Sequence, residues 1–180
     1  MRDRAVRFGA IVALALFVAP FAVRAENAPP AALAACANPS LPREILDGPF
    51  AGAHDALPLE RIDGAAVPLV VAVASDDRSQ ELGLMCVTHL RAHRGMLFVF
   101  ANDDDHGFWM KNTLVPLDMV WVTDKGVVTT VAAHVPASTR ETPDARVARR
   151  TGYGKYVIEL PSGEAAADGV ATGVTLHFSD

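Results

Sequence analysis

The chain lacks the short patterns that announce most chemistries. It holds no HExxH helix for a catalytic zinc and no nucleophile elbow for an acyl-transfer serine. It has no internal repeat and no alternation of strands with helices, which argues against a solenoid and against a parallel sheet. Positive charge is scarce: 16 Lys and Arg face 21 Asp and Glu, for a net charge of −5. Such a chain is poorly suited to displacing counterions from a phosphate backbone, so no nucleic-acid partner is expected. The acidic run 103–105 lacks the spaced ligands of a calcium loop, and neither a metal nor a cofactor is expected there.

Long apolar runs are equally scarce. The run at 8–23 follows Arg2, Arg4 and Arg7 and is closed by Arg24 and the small residue Ala25. It has the length of an export signal, is short for a membrane span and carries Pro20 near its end. Residues 1–25 are therefore read as a signal peptide, with export to the periplasm or the medium and no transmembrane span after processing. The remaining chain holds 12 basic and 20 acidic residues, a net charge of −8. Cysteine is limited to Cys36 and Cys86. In an oxidising compartment the two can pair. Alternatively, residues 33–36 (LAAC) make a lipoprotein box that lipidates Cys36, which precludes pairing. Arg24, Glu26 and two prolines separate that box from the apolar run, which favours the ordinary signal.

Residues 26–56 are rich in Ala and Pro without a hydrophobic period and read as a linker or N-terminal arm. A single domain is expected over 57–180. Apolar runs at 57–62 and 67–74 flank Asp63-Gly64, a hairpin signal. Residues 75–90 shift to helical spacing, with Ser75 as a cap and Gly83 marking close approach to another backbone. Strands are expected at 95–100, 117–122, 127–133, 153–160 and 174–178, with a polar connection at 102–107, a long loop at 134–152 and a short helical turn at 165–167. These elements make a mainly β protein, an antiparallel sandwich or partly closed barrel with one or two short helices.

Residues 108–121, FWMKNTLVPLDMVW, are the densest stretch. Pro116 forces extended geometry, and from Leu117 the chain alternates so that Asp118 falls on an apolar face. A carboxylate there needs a cation or several N–H donors, and Lys111 and Asn112 are its nearest partners in sequence. With GLM at 83–85, GMLFVF at 95–100, FWMKNTLVPLD at 108–118 and YVIEL followed by SG at 156–163, the chain resembles the bacterial and archaeal family called domain of unknown function 192. The resemblance implies a compact β domain of sandwich type, often exported, with no established activity. Relatives tend to carry an aromatic and then an arginine after GLM, where this chain has Cys86 and Val87.

Three functions compete. The favoured one is a binding module, in which Trp109, Lys111, Asn112, Thr113, Asp118 and Glu159 line a cleft for a small polar ligand or a cell-envelope partner. The alternative is an enzyme using Lys111 with Asp118 or Glu159 for acid–base or hydrolytic chemistry. The third is a copper-type site from Met85, Met96, Met110 and Met119 with His89, His93 and His106. Against it, methionines in apolar periodic runs usually fill cores. Arg146, Arg149 and Arg150 are read as a solvated face.

Overall fold

The computed structural model describes Leu41 and residues 57–178. The expected signal peptide, most of the expected arm and Cys36 lie outside the described residues. Leu41, within the expected arm, is buried in a core cluster.

Strands β1 (Leu59–Asp63) and β2 (Leu69–Ala74) form the antiparallel hairpin expected around Asp63-Gly64. Helix α1 (Asp77–Leu82) starts one residue later than Ser75 predicts. Asp76 caps it, accepting from the Ser79 N–H at 3.0 Å while its own N–H donates to Ser79 Oγ at 3.4 Å. The helix ends well before residue 90, because Gly83 turns to a φ of +46° and donates its N–H to the Ser79 carbonyl at 2.9 Å. A Cβ at Gly83 would meet Phe98 Cζ at 3.3 Å, so the glycine makes room for a ring rather than a backbone.

Strand β3 (Arg94–Trp109) absorbs both the expected strand at 95–100 and the expected polar connection at 102–107. Backbone pairing with a partner strand carries the chain through its polar residues, of which Asn102, Asp104 and Asp105 face solvent, and a register shift between Val99 and Asp104 accommodates them. Then come β4 (Leu117–Val122), β5 (Val128–Val135), a short 3-10 helix (Asp144–Arg146), β6 (Arg149–Pro161), helix α2 (Glu164–Ala167) and β7 (His177–Phe178).

The seven strands form one sheet in the order β5-β4-β6-β3-β2-β1-β7, curled into a half-barrel. Pairing is antiparallel except between β2 and β3, which run parallel. Residues 75–93, with α1 among them, are long enough to return the chain to the same end of the sheet; one short helix was too faint a signal for a parallel step. The open side is partly fastened, since the Val128 N–H donates to the Val174 carbonyl at 2.9 Å and the Leu176 N–H to the Gly126 carbonyl at 2.8 Å. Among the described residues no helix is long and apolar enough to cross a membrane.

The central strands are buried on both faces, and the two faces carry separate cores. One holds Ala72, Met96, Phe98, Met119, Trp121 and Val157; the other holds Val71, Leu97, Val120, Ile158 and Leu160. Directly paired residues share a face. Asp118 pairs with Leu160 and Glu159 with Met119 and Met96, so the two carboxyl groups point to opposite faces of the sheet.

Asp118 is fully buried and has no Lys111 beside it. Its Oδ1 accepts the His134 N–H at 2.8 Å, and its Oδ2 accepts those of Gly163 and Ala165 at 2.9 and 3.0 Å. Backbone donors meet its charge instead of the expected cation, and they tie β4 to the end of β5 and to the start of α2. Asp118→Ala is expected to lose roughly 3 kcal/mol or more in urea denaturation, because three buried backbone donors lose their acceptor. Asp118→Asn should recover little of this, since its amide N–H₂ must face donors on one side.

Candidate functional site

The segment after β3 is held by its backbone. The Met110 N–H donates to the Ala148 carbonyl at 3.0 Å, the Cys86 N–H to the Asn112 carbonyl at 2.8 Å, and the Ser138 N–H to the Thr113 carbonyl at 2.8 Å. Ser138 Oγ adds a bond to the Met110 carbonyl. Thus the loop after β5 packs over the central stretch and orders it. Asn112 sits at a φ of +52°, a left-handed position that asparagine tolerates better than most residues, and its Oδ1 is buried without a hydrogen-bond partner. Cys86 is disulfide-bonded; the one other cysteine, Cys36, lies outside the described residues.

Two hollows meet at the Phe108–Trp109 end of β3. The narrower, about 40 Å³, lies between the end of α1 with its GLM turn and the face of the sheet. Trp109, Lys111, Thr113 and Glu159 line it, joined by Gln80, Glu81, Met85, Phe98 and Phe108. The broader is an open trough of about 310 Å³ with Phe108, Trp109, Arg149 and Arg150 along it. Trp109 stands between the two, 42% exposed, with the Arg149 guanidinium 4.9 Å from its ring centre. The register that pairs Trp109 with Arg149 and Phe108 with Arg150 brings these arginines to the site. Both remain at the surface, Arg149 exposed and Arg150 half-buried, and they line the trough.

Of the six residues singled out in the sequence, four therefore share a cleft and two do not. Asn112 shapes the turn, and Asp118 serves the opposite face. Thr113 is buried, and its Oγ1 donates to the Lys111 carbonyl at 3.3 Å. Lys111 Nζ pairs with Asp144 in the 3-10 helix rather than with Asp118, and this bond and charge hold the Asp144 carboxyl below the usual carboxylate range. The Lys111–Asp118 pairing expected from the sequence is thus corrected: the nearest cation in sequence is turned toward a loop 33 residues away.

Glu159 is the anomaly. It is 5% exposed and lies between Met96 and Met119 on its face; no hydrogen bond or ion pair joins its carboxyl to another described residue, and the residue lines the narrow hollow. Burial pushes it up from its ordinary value of 4.5 to about 8, so it stands mainly protonated at neutral pH.

Among the soft-metal candidates, His93 and His106 are turned to other neighbours. Met96, Met110 and Met119 are fully buried core residues. His93 turns its Nδ1 to Glu164 Oε1 at 2.8 Å and Asp168 Oδ2 at 2.9 Å, joining the approach to β3 to α2. The bond to Asp168, followed by the charges of Asp168 and Glu164, raises His93 above the usual imidazole range. His106 stacks on Phe100 at 3.7 Å, with Nε2 buried and unpartnered.

The Glu159 environment carries a pH signature. The folded protein holds this proton more tightly than the unfolded chain does, so its contribution to stability is complete below about 4.5 and is lost as pH rises through about 8. Glu159→Gln should flatten the decline in stability over that interval. Above pH 8 the variant is expected to be the more stable protein by on the order of a few kcal/mol in urea titrations. Parallel curves for the two proteins would show that the carboxyl is solvated.

With this geometry in place, likeness to other proteins is informative about lineage. No curated protein matches the chain. Among solved structures, it is similar to a proposed transcription regulator from Sinorhizobium meliloti 1021, with 28% identity, coverage of 68% of this chain and 95% of that one, and a TM-score of 0.59. It is also similar to a protein of unknown function from Novosphingobium aromaticivorans DSM 12444, with 25% identity, coverage of 78% and 99%, and a TM-score of 0.56. The model of the DUF192 family, described as Uncharacterized ACR, matches residues 59–178, and the chain belongs to that family.

Proposed function

We propose that the protein is a binding module whose cleft, formed by Trp109, Lys111, Thr113 and Glu159, takes a small polar ligand or a polar group of a cell-envelope component. The observation that carries this reading is Glu159, a carboxyl with no hydrogen-bond or ion-pair partner among the described residues, aligned on a hollow rimmed by a half-exposed tryptophan. Buried polar groups ordinarily find partners within the protein, and a ligand is a natural means of supplying one. An aromatic wall beside a few polar groups is also the usual make-up of a small-molecule site. The signal peptide read in residues 1–25 agrees with a ligand met outside the cytoplasm.

Acid–base catalysis is the weaker reading. Asp118 gives its oxygens to backbone donors on the far face, so it does not meet Lys111; Lys111 and Glu159 line the same hollow, but the Lys111 ammonium is paired with Asp144. The regulator description of the Sinorhizobium protein is not carried over, because a net charge of −5 disfavours contact with phosphate backbones.

A thermal-shift screen against sugars, amines, small carboxylates and cell-wall fragments tests the reading. A ligand at about a hundred times its dissociation constant adds about 2.7 kcal/mol, or roughly 5 to 10 °C for a domain of this size. That shift should shrink sharply in both Trp109→Ala and Glu159→Gln, each compared with its own unliganded midpoint. No shift with any compound, or shifts that survive both substitutions, would remove the cleft as the site.

A further inference from the structure

Resting on the binding reading above, we infer that the group this cleft accepts is a primary ammonium, seated on the Glu159 carboxyl in the narrow hollow. The first reason is the inventory of donors and acceptors. Gln80 spends its Nε2 on the carbonyls of Val99 at 2.8 Å and Ala74 at 3.4 Å, and Thr113 spends its hydroxyl on Lys111. Lys111, the cation of the lining, has its charge met by Asp144. The group left without a partner is an acceptor when ionised, Glu159, with the exposed carboxylate of Glu81 also lining the hollow. An ammonium offers donors only, which complements such a wall.

The second reason is the rest of the lining. Phe98, Phe108 and Trp109 present aromatic surface and Met85 a polarisable thioether, walls that favour a cation over an anion. The Arg149 guanidinium already uses the Trp109 ring in this way from the trough side. A carboxylate ligand would add a second acid to a buried one. Size completes the argument. About 40 Å³ has room for an ammonium with its first methylene in place of a few waters, and is tight for a trimethylammonium head. The remainder of an amine is then directed past Trp109 toward the open trough.

Seating the ammonium ionises Glu159, and the carboxyl proton leaves to solvent, so amine binding is coupled to proton release. Affinity should rise about tenfold per pH unit below the Glu159 transition and level off above about pH 8.

The test uses calorimetry and thermal shift on the full chain with four probes of matched length: n-butylamine, n-butanol, butyrate and butyltrimethylammonium. The expected result is binding of n-butylamine alone, with proton release detected as a dependence of the measured heat on buffer ionisation enthalpy. Glu159→Gln should lose at least tenfold in affinity and all of the pH dependence, while circular dichroism shows the fold intact. Trp109→Ala should weaken binding but keep the pH dependence. Binding of butanol or butyrate in preference to butylamine, lost in Glu159→Gln, would overturn the ammonium assignment and leave the binding reading standing. Equal binding of butyltrimethylammonium, or butylamine binding unaffected by Glu159→Gln, would also overturn it. If no probe binds and the broader screen is silent, the binding reading falls with it.

Discussion

The carboxylate of Asp118 is the interaction on which the placement of the other parts depends. Fully buried, it accepts N–H groups from the end of β5 and from the segment leading into α2. Those contacts fix where β6 ends relative to β4, and through the pleat they decide which face each residue of β6 serves. With Ile158 and Leu160 committed to one core, Glu159 has to enter the other. One carboxyl is fully satisfied and structural as a result. The other is delivered to the opposite face without a partner.

That asymmetry separates scaffold from candidate site. A buried carboxyl with no partner burdens the fold, and natural cores usually replace such a group with an apolar one or pair it. Here the cleft beside it is built by elements distant in sequence: the stop of α1 at Gly83, the end of β3 at Trp109, and the loop carrying Asp144 that turns Lys111 aside. The backbone bonds that clamp residues 110–113 hold these walls in place, so the hollow is formed before any ligand arrives.

Much of the frame was legible in the sequence. The Asp63-Gly64 turn, the strand after Pro116 and the break at 161–163 follow from local chemistry, because hairpin turns and proline geometry act over a few residues. The polar half of β3 was not legible. Its residues look like a connection, and only pairing with β6 across about 50 positions makes them a strand. The parallel β2–β3 step was hidden for a related reason, since a six-residue helix leaves little trace of a crossover.

The candidate site shows the same division. Composition and local pattern were enough to single out Trp109, Lys111, Thr113 and Glu159, and to say that Asp118 needed either a cation or several N–H donors. Which of those it has was decided by folding, because the donors lie 16 to 47 residues away and the nearest cation is held by Asp144. Folding likewise moved Arg149 from a surface cluster to the face of Trp109. Alternation along a strand is a local property and can be read from sequence alone. Partnership between charges depends on register and on loops that close over long distances, and only the tertiary structure determines it.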